Sequence, residues 1–490
     1  MTLSRRFEGQ EIYRAPESEG YRLLPIRFTA LDGNRYVVSN MAGEYRVLAR
    51  TQLVNLVEHK LQPGTPLYDD LKSQHFIFDS DSQVAIPLLG LKYRTKLNRL
   101  SQFTGLHIFV ASLRCDYSCQ YCQVSRQTED KAKYDMSRET ADKALDLVFA
   151  SPSPSIKIEF QGGEPLLNFP LIKHVVEQAT LRNQVERRNL AFVITSNLTY
   201  LNDDVLDFCF EHDVYLSTSL DGPPVLHNKN RPRPGKDGHA LTIAGIQTIQ
   251  RRLGRDKVSA LMTTTLSTLP KAREVIDSYV ELGLTNVFLR PLSPYGFAVK
   301  TGHINRYNTM KWLEFYREGL DYIIDLNKGG YPIQETYAAI VLRKMLTPQE
   351  PGYVDLQSPA GIAIAAVVYN YDGDVYASDE ARMLAEMNDP IFRLGNLHRH
   401  SYEEIFGNDT LMDALEQSIT VSAPQCTDCA FLPYCGADPI YHYATQGDFV
   451  GNKAFSGFCQ KNMGVFRDLI RRMEDDPYTK QLFRRWAFGC

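Results

Sequence analysis

Seven of the nine cysteines lie in two short clusters, whose spacing suits metal or redox chemistry. The first cluster, in the segment LRCDYSCQYCQ, comprises Cys115, Cys119 and Cys122. Three thiolates on one tight loop can hold three irons of a cubane iron–sulfur cluster and leave its fourth iron open. A zinc ion would want a fourth protein ligand nearby, whereas His107 lies on the preceding predicted strand rather than on the loop. The spacing therefore favours an iron–sulfur cluster, with zinc as the alternative.

The second cluster lies near the C-terminus. Cys426, Cys429 and Cys435 follow the spacing C-x2-C-x5-C, and Cys459 comes after 23 intervening residues. Four thiols form a complete coordination set, so no metal position would be left open. From the spacing alone, structural zinc competes with an iron–sulfur cluster at this site.

The elements around the first cluster are predicted to be buried strands that alternate with helices, from Leu106 to about Pro291. A parallel sheet covered by helices follows from this pattern, either as an open doubly wound sheet or as an incomplete barrel. In both folds, chemistry belongs at the C-terminal ends of the strands. The six predicted strands are LHIFVASL, SIKIEFQ, NLAFVIT, VYLSTSL, VSALMTTTL and NVFLRPL.

The second predicted strand ends in the segment FQGGEPLL. Gly162 and Gly163 permit backbone conformations and close approaches that a side chain would block. Glu164 offers a carboxylate to an ammonium group. On its own, this short motif is as typical of a turn as of a ligand site.

Short polar side chains also follow the third and fourth predicted strands, in the segments TSN and STSLDG. Their hydroxyl, amide and carboxylate groups can hydrogen-bond ribose hydroxyls of a ligand that lies across the strand ends. Helix capping is an equal alternative for Asn197 and for Asp221. Arg290, which closes the sixth strand, could meet a ligand or form a structural ion pair.

The composition is that of an ordinary globular protein of 490 residues. Because 54 Lys and Arg nearly balance 58 Asp and Glu, no global positive field would hold nucleic acid. Residues 362–369, the longest uncharged apolar stretch, are too few to span a bilayer, and residues 1–10 lack a signal-peptide core. We expect a cytoplasmic protein with no membrane partner. Cys209 is expected to be a buried inert thiol, and Cys490 to be disordered.

Four regions are expected along the chain. Residues 1–103 form a small α+β domain and a linker, in which Thr51 can cap a helix that follows short strands. Residues 104–300 form the β/α domain, and residues 301–349 form a helical connector. Residues 350–490 begin with a hairpin that turns at Asp372 and Gly373 and continue into the second cysteine cluster.

On the three-cysteine loop and the GGE segment one strand later, the sequence resembles the radical SAM superfamily. The resemblance implies a [4Fe-4S] cluster on Cys115, Cys119 and Cys122, whose open iron is chelated by S-adenosylmethionine (SAM). It also implies an α/β fold built on a partial (β/α)6 barrel, which matches the six predicted strands.

The same resemblance implies roles for the residues at the strand ends. Tyr121 would pack near adenine, and the Gly162, Gly163 and Glu164 segment would bind the methionine amino group. The cofactor sugar would be lined by Asn197, Ser219 and Asp221. Arg290 would meet the substrate or the SAM carboxylate.

The C-terminal region is similar to a SPASM extension, the auxiliary-cluster domain of peptide-modifying radical SAM enzymes. Its usual pattern has seven cysteines and two [4Fe-4S] clusters. Here Ser358, Ser378 and the segment at residues 436–439 stand where three ligands of one cluster would be. The resemblance therefore implies one auxiliary [4Fe-4S] cluster, on Cys426, Cys429, Cys435 and Cys459. Asp379 lies where some of these enzymes have a general base, although a solvated turn is an equal alternative.

The N-terminal domain resembles the winged-helix-like domains that bind leader peptides, and a stabilising cap for the barrel is the alternative. The whole arrangement is most similar to the HxsB-type maturases of His-Xaa-Ser peptide systems. This similarity implies a radical SAM oxidoreductase that crosslinks, or else epimerises, a ribosomally made precursor peptide. A partner radical SAM enzyme and an electron donor such as flavodoxin or ferredoxin are the implied partners. The alternatives are a radical SAM enzyme of the sulfatase-maturase or small-molecule type, and a non-catalytic zinc-binding adaptor.

Overall fold

The computed structural model describes residues 20–122, 126–128, 130–300 and 307–489. Residues 1–19 of the expected N-terminal domain lie outside this range, and so does Cys490. The chain divides into two compact units. One unit contains the chain up to Lys96 together with Asp428–Pro433, and the other contains Leu97–Thr427 and the chain from Tyr434 onward.

The first unit is built on a three-stranded antiparallel sheet in the order β2-β3-β4. Helix α1 begins at Arg50, directly after β4, so Ala49 is its N-cap and Thr51 lies inside the helix. The expected cap at Thr51 is therefore wrong; instead, the Ala49 N–H donates to Gln52 Oε1 at 2.9 Å. The elements of this unit are β1 Arg22–Leu23, β2 Ile26–Ala30, β3 Arg35–Asn40, β4 Tyr45–Ala49, α1 Arg50–Val57, α2 Pro66–Ser73, β5 Ile77–Phe78 and α3 Ala85–Leu97.

The second unit contains the predicted β/α series, and all six predicted strands are present. The sixth strand is split into two short pieces at Phe288. Its first piece pairs with β13, and its second piece pairs with β10 of the main sheet. The strands are β6 Leu106–Ser112, β7 Ser155–Gly162, β8 Asn189–Thr195, β9 Tyr215–Ser219, β10 Val258–Thr263, β11 Asn286–Val287, β12 Leu289–Arg290, β13 Gln334–Glu335, β14 Ala366–Tyr369, β15 Asp374–Tyr376 and β16 Arg393–Asn396.

The described strands of the main sheet follow the order β12-β10-β9-β8-β7-β6-β14-β15-β16. From β6 to β12 the neighbours are parallel and run in chain order. A doubly wound sheet would reverse its order at a switch point, so the order supports the incomplete barrel. The predicted hairpin is also confirmed, because β14 and β15 pair antiparallel across a turn in which Gly373 has φ +86°.

Helices follow the strands of the β/α series and continue into the C-terminal region. The helices are α4 Lys131–Tyr134, α5 Arg138–Ala150, α6 Phe169–Glu186, α7 Asp203–Glu211, α8 Pro224–Asn230, α9 Gly238–Arg252, α10 Ala272–Glu281, α11 Phe297–Lys300, α12 Thr309–Lys328, α13 Thr336–Leu346, α14 Asp379–Ala385, α15 Tyr402–Phe406, α16 Asp409–Gln417, α17 Pro439–Gln446, α18 Gly457–Asp475 and α19 Pro477–Phe488. In the described part of the chain, none of them combines the length and the apolar character that crossing a bilayer requires.

Candidate functional site

The first cysteine loop begins directly after β6, at the C-terminal end of the parallel sheet. Backbone hydrogen bonds attach the loop to the end of α8 and to the segment that follows it. The Ser118 N–H donates to the Pro232 carbonyl at 2.8 Å, and the Gln120 N–H donates to the Asn230 carbonyl at 3.1 Å. The loop is therefore fixed both by its connection to β6 and by hydrogen bonds to a second part of the chain.

The three thiols of this loop are only partly exposed to solvent. Burial raises the pKa of Cys119 to about 12, although the nearby Arg231 lowers it. Burial also raises the pKa of Cys115, although the Tyr117 N–H that donates to its Sγ at 3.4 Å lowers it. Thiolates at these positions need cationic compensation, which iron supplies. The donor set therefore fits a cluster.

A single zinc ion fits this loop less well. Among the residues that the structure describes, no three or more His, Cys, Asp or Glu side chains are placed to share one metal ion. Both ring nitrogens of the buried His107 are already engaged, because Nδ1 lies 2.9 Å from Tyr369 Oη and Nε2 lies 3.1 Å from the Thr104 carbonyl. His107 is thus a core residue rather than a ligand.

The two glycines of the GGE segment pack directly against the start of the cysteine loop. A Cβ at Gly162 would overlap the Ser112 carbonyl oxygen, and one at Gly163 would overlap the Arg114 carbonyl oxygen. Gly162 also has φ +149°, which L side chains rarely adopt. The glycines are therefore needed for a close approach of two backbones.

Glu164 is completely buried and joins this segment to the end of β8. Its Oε1 accepts hydrogen bonds from the Leu166 N–H at 3.0 Å and from the Ser196 hydroxyl at 2.8 Å. Its Oε2 accepts from the Asn197 N–H at 2.7 Å. Burial raises the pKa of Glu164 to about 7 against these hydrogen bonds. Since a carboxylate oxygen can accept two hydrogen bonds, Oε2 can take a further donor.

Asn197 and Ser219 lie at the ends of neighbouring strands, as the sequence predicts. Asn197 Nδ2 donates to Asp116 Oδ1 on the cysteine loop at 2.9 Å and lies 4.0 Å from Cys115 Sγ. Asn197 Oδ1 accepts from the Thr199 N–H at 2.9 Å, within a turn, whereas Asn202 caps the next helix. The capping alternative for Asn197 is therefore wrong. Ser219 ends β9 and is half-buried.

Tyr121, Asp221 and Arg231 form one hydrogen-bonded chain beside the cysteine loop. The Tyr121 hydroxyl donates to Asp221 Oδ2 at 2.6 Å, and Arg231 donates to the Tyr121 oxygen at 3.1 Å. Asp221 Oδ1 also accepts from the Thr263 N–H at 3.3 Å, and Pro223 is the N-cap of α8. Capping is therefore wrong for Asp221 as well. Arg231 and Asp116 were not predicted from the sequence; for Arg231, the available signal is an arginine in a Pro-rich loop after the fourth strand.

Arg290 ends β12 and lines a cavity in the second unit, together with Glu380. Asp379, the predicted general base, is not among the residues that line this cavity. Its Oδ1 lies 3.9 Å from Arg382 Nε, and Glu386 lies 3.2 Å from the same guanidinium. Burial raises the pKa of Asp379 to about 6.

The C-terminal cysteines fall in both units, because Cys429 belongs to the first and the other three belong to the second. Asn462, which is fully buried, donates through Nδ2 to Cys435 Sγ at 3.5 Å. Cys459 lies in the first turn of α18, where its N–H donates to the Ser456 hydroxyl at 3.3 Å. The first contact reaches the Cys435 thiol from a helix, and the second fixes the backbone of Cys459.

Ser358 and Ser378, which stand where the resemblance implies SPASM cysteines, have their own hydrogen bonds. Ser358 Oγ lies 2.9 Å from both the backbone nitrogen and the hydroxyl of Thr420. Ser378 Oγ caps α14 by accepting from the Ala381 N–H at 3.2 Å, and it donates to Glu380 Oε2 at 2.9 Å. Asp438 similarly caps α17.

Comparison with known proteins relates the β/α series to a family of known proteins. The sequence profile of the Radical SAM superfamily matches residues 109–264. An uncharacterized protein from Methanocaldococcus jannaschii, MJ0907, is 28% identical over 181 residues, which are 37% of this chain and 60% of that protein. A serine-type anaerobic sulfatase-maturating enzyme from Bacteroides thetaiotaomicron is 22% identical, across 77% of this chain and 91% of its own length.

Solved structures share the fold at low identity. Native anSMEcpe with bound AdoMet has a TM-score of 0.60 at 18% identity, and the match covers 75% of this chain and 97% of that one. Streptococcus suis SuiB bound to the precursor peptide SuiA has a TM-score of 0.53 at 13% identity, and the match covers 89% and 98% of the two chains. The residues that match the profile form most of the parallel sheet and include the three thiols of the first cysteine loop. The chain therefore contains a radical SAM domain.

Proposed function

We propose that this chain is a radical SAM maturase that oxidatively modifies a ribosomally made precursor peptide, with a side-chain crosslink as the first choice of product. The observation that carries the proposal is the set of three thiols at the mouth of the sheet, held beside the buried carboxylate of Glu164. A [4Fe-4S] cluster held by these thiols, with SAM at its open iron, would supply the one-electron chemistry that removes hydrogen from the substrate.

The residues of the chain would bind the cluster and SAM and would exclude water from them. Cys115, Cys119 and Cys122 would bind three irons of the cluster. Glu164 Oε2 would accept a hydrogen bond from the methionine ammonium. The loop beside Gly162 and Gly163 would approach SAM closely. These contacts keep the reacting groups in position and exclude water.

The ribose and adenine contacts are proposed for the neighbouring strand ends. Asn197, Ser219 and Asp221 would line the sugar, and Tyr121, which Asp221 holds by a hydrogen bond, would pack near adenine. Arg231 places a positive charge beside Tyr121 and Cys119 of the first cysteine loop. This charge can compensate the thiolates or the carboxylate of a ligand.

A peptide substrate is supported by the structures that share the fold, because SuiB and anSMEcpe were both solved with bound peptides. The N-terminal unit would bind the leader of the precursor, which could add as a strand beside β2 or β4, the outer strands of its described sheet. Among peptide maturases, the HxsB type of His-Xaa-Ser systems is our specific proposal, with a partner radical SAM enzyme and a flavodoxin or ferredoxin as electron donor.

One auxiliary [4Fe-4S] cluster would be bound by Cys426, Cys429, Cys435 and Cys459 and would accept the electron of the substrate radical. The hydrogen bonds of Ser358 and Ser378 support the absence of a second auxiliary cluster, because the hydroxyl of each serine accepts a hydrogen bond from a backbone N–H. Asp379 is proposed as the group that takes the substrate proton.

The experiment that tests the proposal is reductive SAM cleavage by anaerobically reconstituted protein. We expect 5′-deoxyadenosine after reduction and a peptide product that has lost two hydrogens. Cys115→Ala should abolish both, since a missing ligand destroys the open-iron site. Cys209→Ala, which changes a buried thiol outside both clusters, is the matched control and should retain them. Absence of 5′-deoxyadenosine from the wild-type protein, or a colourless zinc-loaded protein, would contradict the proposal.

The second candidate is maturation of a sulfatase by oxidation of an active-site residue. It is favoured by the similarity to the serine-type anaerobic sulfatase-maturating enzyme, which extends over 77% of this chain. Mass spectrometry of sulfatase-derived and precursor-derived peptides after turnover distinguishes the two candidates.

A further inference from the structure

A cavity of about 230 Å³ lies at the end of β12 in the second unit. Asp355, Glu380 and Asp438 line it with three carboxyl groups from three separate segments. Each lies in or near a segment where the resemblance to the seven-cysteine SPASM pattern implies a missing ligand, at Ser358, at Ser378 and within residues 436–439. The cavity thus has acidic groups along the segments that would otherwise bind a second auxiliary cluster.

Among the residues that the structure describes, the charges that line this cavity are unbalanced. Arg290 and Lys461 are the described cationic lining residues, beside three carboxyl groups. Lys461 Nζ lies 5.2 Å from the ring centres of both Tyr337 and Phe458. Beyond the lining, the Arg382 guanidinium already has two carboxylates close to it and adds no spare positive charge. When all three carboxyl groups are ionised, one further cation balances the charges of the described lining residues.

A buried hydroxyl in the cavity also lacks a partner. Tyr295 lines the cavity and is only 3% exposed, and its hydroxyl has no hydrogen-bond partner among the described residues. Since buried polar groups are normally paired, this oxygen is suited to accept a hydrogen bond from a bound group. Burial raises the pKa of Tyr295, and the negative charges of Asp438, Glu380 and Asp355 add to the effect.

The aromatic lining favours an organic cation over a metal ion. Trp312, Tyr441 and Phe458 contribute rings to the walls, and such rings attract ammonium and guanidinium groups. The carboxyl groups are too dispersed for one metal ion, because the described residues include no set of three or more acidic, His or Cys side chains placed to share one.

We infer that this cavity binds a cationic side chain, an ammonium or a guanidinium, through Asp355, Glu380, Asp438 and the Tyr295 hydroxyl. The inference deepens the proposed function and rests on it in one respect, namely that the cationic group belongs to the peptide substrate. The group would anchor the peptide beside the residue that loses hydrogen.

The ionisation of the carboxyl groups is consistent with this role. Burial raises the pKa of Asp438 to about 8, and the nearby Asp355 and Glu380 add to the effect, whereas Lys461 opposes it. Burial also raises the pKa of Asp355. Near neutral pH a proton therefore offsets the excess negative charge, and a bound cation can replace that proton.

The test is direct binding of small probes to the full chain, measured by ligand-observed NMR. Nα-acetyl-arginine amide should bind about tenfold more tightly than the citrulline derivative, which has nearly the same shape and no charge. Nα-acetyl-glutamate amide should not bind. Equal affinity for the first two probes, or preference for the glutamate probe, would overturn the inference.

Two variants locate the binding. Asp438→Asn keeps an N-cap residue on α17 and should weaken binding of the arginine probe at least fivefold, and so should Glu380→Gln. Glu416→Gln, at an exposed residue of α16 that does not line the cavity, should bind as the wild type does. Retained binding in Asp438→Asn and Glu380→Gln would place the probe elsewhere and overturn the inference.

The binding assay is independent of turnover, so the two proposals fail separately. Binding of the arginine probe without any 5′-deoxyadenosine would contradict the proposed function alone. Formation of 5′-deoxyadenosine without a preference for the cationic probe would contradict the cavity assignment alone.

Discussion

At the scale of single residues, Glu164 shows what a motif predicts and what it omits. The GGE segment identifies the carboxylate as a ligand group, and the fold places it at the mouth of the sheet. The sequence does not reveal that the side chain also accepts hydrogen bonds from Leu166, Ser196 and Asn197. Glu164 thus connects two strand ends and keeps acceptor capacity on Oε2.

Glu164→Gln tests this dual role. An amide would lose the charge that pairs with the methionine ammonium, so we expect SAM to bind roughly 10- to 100-fold more weakly. Equilibrium dialysis with labelled SAM measures the effect, and circular dichroism checks the fold. The matched control is Glu177→Gln on the exposed side of α6, which should leave the affinity unchanged. Unchanged affinity in Glu164→Gln would contradict the ammonium contact.

Adjacent residues at the start of α14 mark the limit of prediction at this scale. The sequence singles out Asp379, whereas the cavity is lined by its neighbour Glu380. Which of two consecutive side chains faces a cavity depends on where the helix begins, and Ser378 fixes that start as the N-cap. Consecutive helical residues point about 100° apart, so a small shift in the boundary changes the assignment.

At the scale of elements, strand existence could be predicted and strand pairing could not. Apolar runs and turn residues identified all six strands of the β/α series and the later hairpin. Local patterns contain no information about which strands are neighbours, so the sequence left an open sheet and an incomplete barrel as alternatives. The split of the last strand also depends on a distant partner, because β11 pairs with β13.

The caps of α14 and α17 lead to a prediction about metal content. Ser378 and Asp438 are N-caps. Ser378 and the segment at residues 436–439, which contains Asp438, stand where the SPASM resemblance implies ligands of a second auxiliary cluster. We expect reconstituted protein to bind about eight iron atoms per chain, four in each of two clusters. Cys459→Ala should reduce this to about four. Iron and sulfide analysis checks both values, and about twelve irons in the wild type would contradict the single auxiliary cluster.

At the scale of the whole molecule, composition limited the protein to a globular class without fixing how its parts assemble. A reading in chain order cannot place Asp428–Pro433, which packs with the N-terminal residues although it lies far along the chain. The Ser39 hydroxyl, for example, donates to the Ala430 carbonyl at 2.6 Å within that unit. Contacts between residues so distant in sequence follow from packing rather than from a local pattern.

The central claim for the whole molecule is that one iron, near Glu164, has no protein ligand and binds SAM. The most direct test is pulsed ENDOR of the reduced protein with SAM that is labelled with nitrogen-15 at the amino group. We predict a nitrogen-15 hyperfine coupling to the cluster that Cys115→Ala abolishes. Absence of this coupling in protein that contains the reduced cluster and saturating SAM would contradict the account.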